Sequence, residues 1–214
     1  MVEKSPFTSA ILLAAGVSRR MGTLKALLDW QGRPLIIHQI VALREAGADE
    51  VIVVLGHRAD ELQARIGVNR DVYDLGQVRC VINEDYAQGK TTSIKTGLCA
   101  LGPSADPDAA ILMLNVDQPR STGIIERALA AHRNAPGNLI TIPTCQGKGG
   151  HPIIVSRSLY PELIAIDERT QGMRAVTERH REASQRAELG APELLWDVNT
   201  PEQYQAALRA AGAG

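Results

Sequence analysis

One segment near the start of the chain combines small residues with cations, and it reads LAAGVSRRMGTLK over Leu13–Lys25. The small residues Ala14, Ala15 and Gly16 would let a ligand approach the backbone closely. A hydroxyl and three cations follow, at Ser18, Arg19, Arg20 and Lys25. Backbone N–H groups and cations in one loop can bind a polyphosphate. The same residues also suit a strand-to-helix turn with a solvated basic face, so composition alone leaves both interpretations open.

Two other phosphate-binding motifs are excluded by the positions of the glycines. A G-x-G-x-x-G motif opening a helix would indicate a dinucleotide site, but the stretch Gly147–Gly150 precedes a predicted strand. The tripeptide Gly89-Lys90-Thr91 resembles the end of a P-loop, whose opening glycine would lie at position 84. That position is Glu84, so the P-loop interpretation fails.

A carboxylate is predicted at the end of a buried strand. Asp117 follows the apolar run Ala110–Leu114 and opens an Asp-Gln-Pro sequence. Open α/β sheets bind ligands at the carboxyl ends of their strands, so Asp117 is expected to face the same crevice as the Leu13–Lys25 loop. An N-capped turn is the alternative interpretation of Asp-Gln-Pro.

Apolar runs that alternate with helical patterns predict the elements that position these residues. The predicted strands are Ser9–Ala14, Val51–Leu55, Val78–Ile82, Ala110–Leu114 and Leu139–Ile142. Their continuous apolarity is typical of strands buried on both faces. The predicted helices are Pro34–Ala46, Arg58–Ile66, Thr91–Leu101 and Thr122–His132. The chain is therefore expected to form a single α/β domain over residues 1–214, with a doubly wound, mostly parallel, Rossmann-like sheet flanked by helices.

The last third of the chain is less regular and predicts a small C-terminal appendage. A strand is expected at His151–Ser156 and short helices at Ser158–Ile166 and Gly172–Arg179. A closing helix is expected at Pro201–Ala211, where Thr200-Pro201-Glu202 makes a good helix start. This appendage is expected to complete a pocket over the sheet.

The segment Leu13–Lys25 matches, at every fixed position, the signature LAAGxSxRMGxxK. The chain thereby resembles the nucleotidyltransferase superfamily and, within it, the molybdenum cofactor cytidylyltransferases. Further matching segments follow in the family's order; they are Asn83-(x)5-Gly89-(x)3-Ser93, Asp117-Gln118-Pro119, Gly150-His151-Pro152 and Asp197–Glu202. The resemblance runs from residue 10 to about residue 208. It implies transfer of a nucleotidyl group from a nucleoside triphosphate to a phosphorylated acceptor, with release of pyrophosphate.

The resemblance also implies the catalytic and nucleotide-binding residues. Lys25 would meet the α-phosphate or the incoming phosphate, Arg20 would hold the pyrophosphate end, and Asp117 would bind Mg²⁺. The expected nucleotide-binding residues are Leu13, Ala14, Ala15, Gly16, Ser18, Arg20, Lys25, Asn83, Gly89 and Ser93. No side chain needs to form a covalent intermediate, because the attacking phosphate belongs to the acceptor.

The second metal ligand and the acceptor site are less closely matched. The family pattern DIDTPED has an acid where this chain has Asn199, and Gln203 replaces the last acid, so either Asp197 or Asn199 would be the second Mg²⁺ ligand. The expected acceptor-binding residues are Gly150, His151 and Arg174. The stretch Asp167–Arg174 resembles the family's GDxGAR only loosely.

Two features bear on the nucleotide. The Asn83 amide offers both a donor and an acceptor, which suits discrimination between pyrimidine edges, although Asn83 could also only turn the chain. In the family LAAG accompanies cytidylyl transfer, whereas guanylyl enzymes usually carry LAGG, so Ala15 favours CTP. The expected acceptor is molybdopterin, and a molybdoenzyme could receive the product. The alternatives are an enzyme that activates a sugar phosphate or another small phosphate, and a non-catalytic nucleotide-binding or cofactor-delivery protein.

Composition narrows the class of protein. The 214 residues carry 23 Lys and Arg against 24 Asp and Glu, and only 3% are aromatic, so no nucleic-acid partner is expected. Neither the three cysteines nor the five histidines show the spacing of a zinc site or a disulfide scaffold. The chain lacks a signal-peptide pattern and a long apolar run, so a cytoplasmic protein without a membrane segment is expected.

Overall fold

The centre of the fold is a mixed sheet of eight strands with helices against both of its faces. The computed structural model describes residues 6–18, 21–104, 106, 108–170 and 172–212. The strands are β1 (Thr8–Ala14), β2 (Asp29–Trp30), β3 (Arg33–Pro34), β4 (Glu50–Leu55), β5 (Val78–Ile82), β6 (Ala110–Asn115), β7 (Ile140–Cys145), β8 (Lys148–Gly149), β9 (Ile153–Ser156) and β10 (Ser184–Glu188). The helices are α1 (Leu35–Glu45), α2 (Ala59–Asn69), α3 (Lys90–Leu101), α4 (Thr122–Arg133), α5 (Tyr160–Ile164), α6 (Met173–Arg179) and α7 (Pro201–Ala211). Short 3₁₀ helices lie at Lys25–Leu27, Tyr86–Gln88, Arg157–Leu159, Glu168–Thr170, Arg181–Ala183 and Pro192–Leu195.

The sheet has the strand order β10-β7-β9-β6-β1-β4-β5, with β8 paired to β7 beside this path. β1 is parallel to both of its neighbours, and β4 is parallel to β5. β9 runs antiparallel to β6 and to β7, while β10 is parallel to β7. The prediction of a doubly wound, mostly parallel sheet is therefore confirmed. Leu13 of β1 lies beside Asn115 of β6, so the segments that follow these two strands leave the sheet at the same edge.

Two apolar cores, one on each face of the sheet, account for the continuous apolarity of the strands. Ala10 and Leu12 of β1 belong to the core shared with α1, α2 and α4. Ile11 and Leu13 point to the opposite core, which contains residues of α3, α5 and α6. Successive residues of a strand point to opposite faces, so a strand covered on both sides must be apolar at every position.

A third apolar cluster attaches the C-terminal helix beside the sheet. Trp30 and Leu35 pack there with Val198 and with Ala207 of α7. The backbone N–H of Val198 donates to the carbonyl oxygen of Asp117 at 2.8 Å. This packing brings the segment that precedes α7 to the carboxyl end of β6. Within the described residues, no helix is long and apolar enough to cross a membrane.

The sequence patterns missed β10 and the short strands. β10 reads SQRAE, and of its five residues only Ala187 is buried, because the strand lies at an edge of the sheet. Such a strand carries neither a continuous apolar run nor a clean alternation. The helix predicted at Ser158–Ile166 is instead a 3₁₀ turn followed by α5.

Candidate active site

Three side chains from distant parts of the chain meet beyond the carboxyl ends of β1 and β6. The Lys25 ammonium donates to Oδ2 of Asp117 at 2.9 Å and to Oδ1 of Asn199 at 2.6 Å. Lys25 begins the first 3₁₀ helix, Asp117 lies two residues after β6, and Asn199 lies just before α7. The side chains of Lys25 and Asp117 are only 12% and 25% exposed. The side-chain oxygens of Asp117 and Asn199 thus face one point, which the Lys25 ammonium occupies.

The loop after β1 forms one wall of a cavity of about 300 Å³, and Lys25 and Asp117 also line this cavity. Leu13, Ala14, Ala15, Gly16 and Ser18 line it as well. A Cβ added to Gly16 would meet no atom of the described residues within 4 Å, so packing inside the protein does not require glycine there. The Ser18 hydroxyl accepts a hydrogen bond from the backbone N–H of Lys25 at 3.1 Å, which shapes the loop. Arg20 lies outside the described residues.

The segment between β5 and α3, together with the start of α3, forms another wall of this cavity. Gly89 and Ser93 line the cavity together with Tyr86. A Cβ on Gly56 would lie 2.8 Å from the Cβ atoms of both Ala15 and Tyr86, so glycine at position 56 lets the two walls close on each other. Nothing in the local sequence around Gly56 indicates this close approach, and sequence reasoning missed it.

Asn83 is buried behind this wall and does not line the cavity. Its Nδ2 donates to the hydroxyl oxygens of Thr92 and Ser93 at 2.8 and 2.9 Å. Its Oδ1 accepts from the backbone N–H of Asp85 at 3.0 Å. Both ends of the amide therefore hold the loop in shape, and the role of reading a base stays a prediction.

The turn that carries Asp117 is fixed from beneath by Gln39 of α1. The Gln39 amide donates to the carbonyl oxygen of Gln118 at 2.6 Å and accepts from the backbone N–H of Arg120 at 3.2 Å. Gln39 is fully buried. Because both bonds go to the backbone, they fix the direction in which the turn after β6 presents Asp117.

Arg120 links three segments of the site, and sequence reasoning did not identify it. Its guanidinium is buried and donates to the carbonyl oxygens of His151, Pro119, Trp196 and Leu194 at 2.7, 2.8, 3.2 and 2.8 Å. Burial is the main cause that lowers the pKa of Arg120, to about 10, and the carboxylate of Glu193 opposes it. The side chain remains charged at neutral pH and holds the loops around Asp117, His151 and Asp197 together. An arginine after Asp-Gln-Pro was visible in the sequence, but nothing in the sequence showed that it is buried.

A second cavity, of about 250 Å³, adjoins the first. His151 and Arg174 line it, as do Glu168 and Met173. Gly150 does not line it, and a Cβ there would collide with the carbonyl oxygen of Leu194, so Gly150 serves close packing. Burial, followed by the charges of Lys90 and Arg120, lowers the pKa of His151 to about 3, so its imidazole is neutral at ordinary pH.

The residues around the Lys25 ammonium fit a magnesium ion by the chemistry of their donors. Mg²⁺ takes hard oxygen ligands and is usually held by one or two carboxylates with water and substrate phosphates. Among the residues that the structure describes, no group of three or more His, Cys, Asp or Glu side chains could hold a metal. Asp117 and Asn199 already direct oxygens at one point, whereas the Asp197 side chain makes no hydrogen bond to Lys25 in the described structure.

Gln203, which replaces an acid of the family pattern, has a structural role. Its Oε1 accepts from the backbone N–H groups of Asn199 and Thr200 at 2.9 and 3.2 Å. The Thr200 hydroxyl in turn accepts from the Gln203 N–H at 3.3 Å, which completes a capping box for α7. This box orients the backbone that presents Asn199.

The doubly wound sheet with a loop-walled cavity at its carboxyl edge defines an open α/β protein whose cavity lies where such proteins bind their ligands. The profile of the MobA-like NTP transferase domain matches residues 10–184, and the chain belongs to this family. The resemblance predicted from the LAAG segment is thereby confirmed.

Three curated relatives illustrate the range of this likeness. The chain is 28% identical over 194 residues to the molybdenum cofactor cytidylyltransferase of Escherichia coli K12, covering 91% of this chain and 92% of the relative. It is 32% identical over 166 residues to nicotine blue oxidoreductase of Paenarthrobacter nicotinovorans, covering 74% and 75%. It is 31% identical over 182 residues to the bifunctional protein GlmU of Trichlorobacter lovleyi, covering 78% of this chain but only 37% of that longer protein.

Solved structures show the same fold over almost the whole chain. Rv0371c of Mycobacterium tuberculosis H37Rv superposes with a TM-score of 0.76 at 23% identity, covering 96% of this chain and all (100%) of the other. Its homologue from Mycobacterium sp. strain JC1 superposes with a TM-score of 0.73 at 26% identity, covering 96% and 97%. The likeness therefore includes the C-terminal third that sequence patterns described least well.

Proposed function

We propose that the chain transfers a cytidylyl group from CTP to a phosphorylated acceptor of the molybdopterin type and releases pyrophosphate. The observation that carries this proposal is the convergence of Lys25, Asp117 and Asn199 beside a cavity walled by the LAAG loop. The match over nearly the full length of the molybdenum cofactor cytidylyltransferase supports the choice of acceptor. A molybdoenzyme would then be the protein that receives the product. Another relative is named as an oxidoreductase, so the proposal rests on the site rather than on identity alone.

The residues of the chain act mainly by positioning charge. An oxygen of the acceptor phosphate attacks the α-phosphorus, the bond from that phosphorus to the β-phosphate oxygen breaks, and pyrophosphate leaves. A phosphate monoester has its second pKa near about 6, so it is a nucleophile at neutral pH without a general base. The catalytic requirement is in-line placement and stabilisation of charge on the phosphoryl oxygens.

Lys25 would supply that stabilisation, and its position in the lining of the cavity beside the LAAG loop supports this role. Backbone N–H groups of the loop that follows β1 would bind the phosphates, and Arg20 would hold the pyrophosphate end. Asp117 and Asn199 would hold Mg²⁺, which would neutralise the charge of the triphosphate and help to orient it.

The second cavity would take the acceptor. His151 and Arg174 line this cavity. The neutral imidazole of His151 can donate or accept a hydrogen bond with an uncharged part of the acceptor. Ala15 supports CTP through the family's LAAG sequence. Gly89 and Ser93 line the wall on which the nucleoside would lie, and Asn83 supports that wall from behind through its bond to the Ser93 hydroxyl. These assignments place the two substrates on either side of Asn115, which lines both cavities.

The experiment measures pyrophosphate release with each of the four nucleoside triphosphates, Mg²⁺, and either molybdopterin or a set of sugar phosphates as acceptor. We expect release with CTP and molybdopterin that falls steeply in Asp117→Asn. Turnover only with a sugar phosphate would overturn the assignment of molybdopterin as the acceptor but retain the nucleotidyltransferase activity. Nucleotide binding without pyrophosphate from any pair would favour a binding or cofactor-delivery protein instead.

A further inference from the structure

The two cavities share a boundary that carries one lysine. Among the residues that the structure describes, three line both cavities; they are Leu13, Lys90 and Asn115. Lys90 is the only charged residue among these three. It begins α3, so its side chain projects from the first turn of that helix. In the sequence this lysine belongs to the tripeptide that resembles a P-loop without forming one.

Lys90 lies near carboxylates, yet it has no direct partner among the described residues. Within the described part of the chain, no hydrogen bond or ion pair of its ammonium is formed. The carboxylates of Asp117, Asp197 and Glu168 nevertheless act on it. Desolvation by the surrounding protein is the main cause that lowers the pKa of Lys90, and these three carboxylates oppose that effect. The residue remains open to solvent, as a group at the mouth of two adjoining cavities must be. Its ammonium can therefore bind a ligand without first breaking an ion pair.

Glu168 fixes the start of the helix that carries Lys90. One oxygen of its carboxylate accepts from the backbone N–H of Thr91 at 3.0 Å. A Cβ on Gly89 would lie 2.8 Å from Cδ of Glu168, so the glycine allows this close approach. The N-cap residue of α3 is Gly89, which has no side chain to cap the first turn, and Glu168 of the second cavity's lining caps it instead.

The proposed reaction requires two phosphate groups to meet near this boundary. The α-phosphate belongs to the nucleotide in the first cavity, and the attacking phosphate belongs to the acceptor in the second. Both groups are anionic, so their approach is unfavourable unless a cation lies between them. Lys25 already bonds to Asp117 and Asn199 on the nucleotide side. Lys90 is the described cation that reaches both cavities.

We propose that Lys90 binds the attacking phosphate of the acceptor and holds it against the nucleotide's α-phosphate. This inference rests on the proposed function and adds a residue to it. The walls of the second cavity also define the class of acceptor. Leu13, Ile94, Met113, Ile153 and Met173 supply apolar surface, so the site suits a phosphate monoester attached to a compact, partly apolar ring.

Phenyl phosphate is a suitable probe, because it joins a phosphate monoester to an apolar ring and binding can be measured without turnover. Calorimetric titrations would use the wild type, Lys90→Met and Lys90→Arg. Each would be run with Mg²⁺ and the α,β-methylene analogue of whichever nucleotide most raises the melting temperature. Lys95→Met is the matched control, since Lys95 lies on the same helix and lines neither cavity. Circular dichroism would verify that each variant is folded.

We expect Lys90→Met to lose at least about tenfold in affinity for phenyl phosphate, as for loss of a charge-assisted hydrogen bond. Its affinity for the nucleotide analogue should change by less than about threefold, which is small beside that loss. Lys90→Arg should retain most of the binding, and Lys95→Met should match the wild type. Unchanged phenyl phosphate binding in Lys90→Met overturns the assignment, as does a wild type that binds phenol and phenyl phosphate equally well. If Lys90→Met loses more affinity for the nucleotide analogue than for phenyl phosphate, Lys90 binds the triphosphate and the proposal is wrong.

Pyrophosphate release by the wild type separates this inference from the proposed function. Normal release together with unchanged phenyl phosphate binding in Lys90→Met refutes only the role of Lys90. No release from any nucleotide, together with Lys90-dependent binding of phenyl phosphate, refutes the transfer reaction and leaves the phosphate site.

Discussion

The ammonium of Lys25 lies 2.9 Å from Oδ2 of Asp117, a residue 92 positions away in the chain. The same ammonium reaches Oδ1 of Asn199 at 2.6 Å. One cation thus joins the loop after β1, the turn after β6 and the segment before α7. A change at any of these three residues alters the surroundings of the other two, so their variants are best compared as a set.

Nucleotide preference can be measured by thermal unfolding. We expect CTP with Mg²⁺ to raise the melting temperature more than GTP with Mg²⁺ does, because the loop carries Ala15 in LAAG. Binding to the folded state alone stabilises it by about 2.7 kcal/mol at a hundredfold excess over Kd. Equal shifts for all four nucleotides would remove the base assignment and leave the phosphate loop in place.

The metal ligands can be distinguished by three variants. We expect Asp117→Asn and Asn199→Ala to lose most of their turnover and to require more Mg²⁺. The first replaces a carboxylate by a neutral amide, and the second removes the amide oxygen that faces the point that Lys25 now occupies. Asp197→Asn is the control, since its side chain does not reach that point in the described structure. The measurement is initial rate against Mg²⁺ concentration for each protein. If Asn199→Ala has the Mg²⁺ dependence of the wild type and Asp197→Asn requires more Mg²⁺, the second ligand is Asp197 and not Asn199.

Lys25→Ala should impair the chemical step more than nucleotide binding. An interaction made mainly in the transition state lowers kcat and kcat/KM together. Loss of one preorganised charge costs about 10²–10³ in rate, by analogy with oxyanion-hole donors. Steady-state kinetics beside calorimetry would compare Lys25→Ala with Arg20→Ala, which we expect to weaken nucleotide binding. If Lys25→Ala abolishes CTP binding while the bound enzyme turns over normally, Lys25 belongs to the triphosphate clamp.

Arg120→Lys should destabilise the fold despite keeping the charge. Arg120 donates to four carbonyl oxygens, and a single ammonium cannot reproduce that planar arrangement. Leaving buried carbonyl groups unpaired should lower the free energy of unfolding by about 2–4 kcal/mol. Urea unfolding would measure it, with Arg209→Lys on the exposed face of α7 as the control. Equal losses in the two variants would contradict the role of Arg120 in joining the loops.

Stability should fall as the pH drops from about 6.5 to about 4. Burial is the main cause that lowers the pKa of His38 and of His132 from 6.5 to about 4, and nearby arginines add to it. Between these pH values the unfolded chain binds protons that the folded chain does not. The contribution of the two histidines to the free energy of unfolding is therefore complete above pH 6.5 and is lost as the pH falls toward 4. Each histidine contributes up to about 3 kcal/mol.

Urea unfolding at pH 7.5 and pH 4.5 tests this pH dependence. His132→Gln keeps a polar group near Thr141, which lies 2.9 Å from the imidazole, and should reduce the loss of stability at pH 4.5. A loss as large as in the wild type would show that His132 does not contribute.

Local patterns in the sequence determined the central strands, most helices and the loop that lines the first cavity. This was possible because a strand covered on both faces is apolar along its covered length, as are residues 10–14 of β1, 51–55 of β4 and 110–114 of β6. The family signature likewise lies within one continuous segment, so its residues can be recognised without knowledge of the fold.

Only the tertiary structure decided which side chains meet. The sequence left Asp197 and Asn199 equivalent, and the packing of α7 against the Trp30 cluster decides that Asn199 faces Lys25. In the sequence Lys90 belongs only to an incomplete P-loop motif, whereas in the structure it lines both cavities. Arg120 and β10 were missed for the same physical reason. Burial of a polar side chain and pairing of an edge strand depend on elements far away in the chain, and no local period or spacing records them.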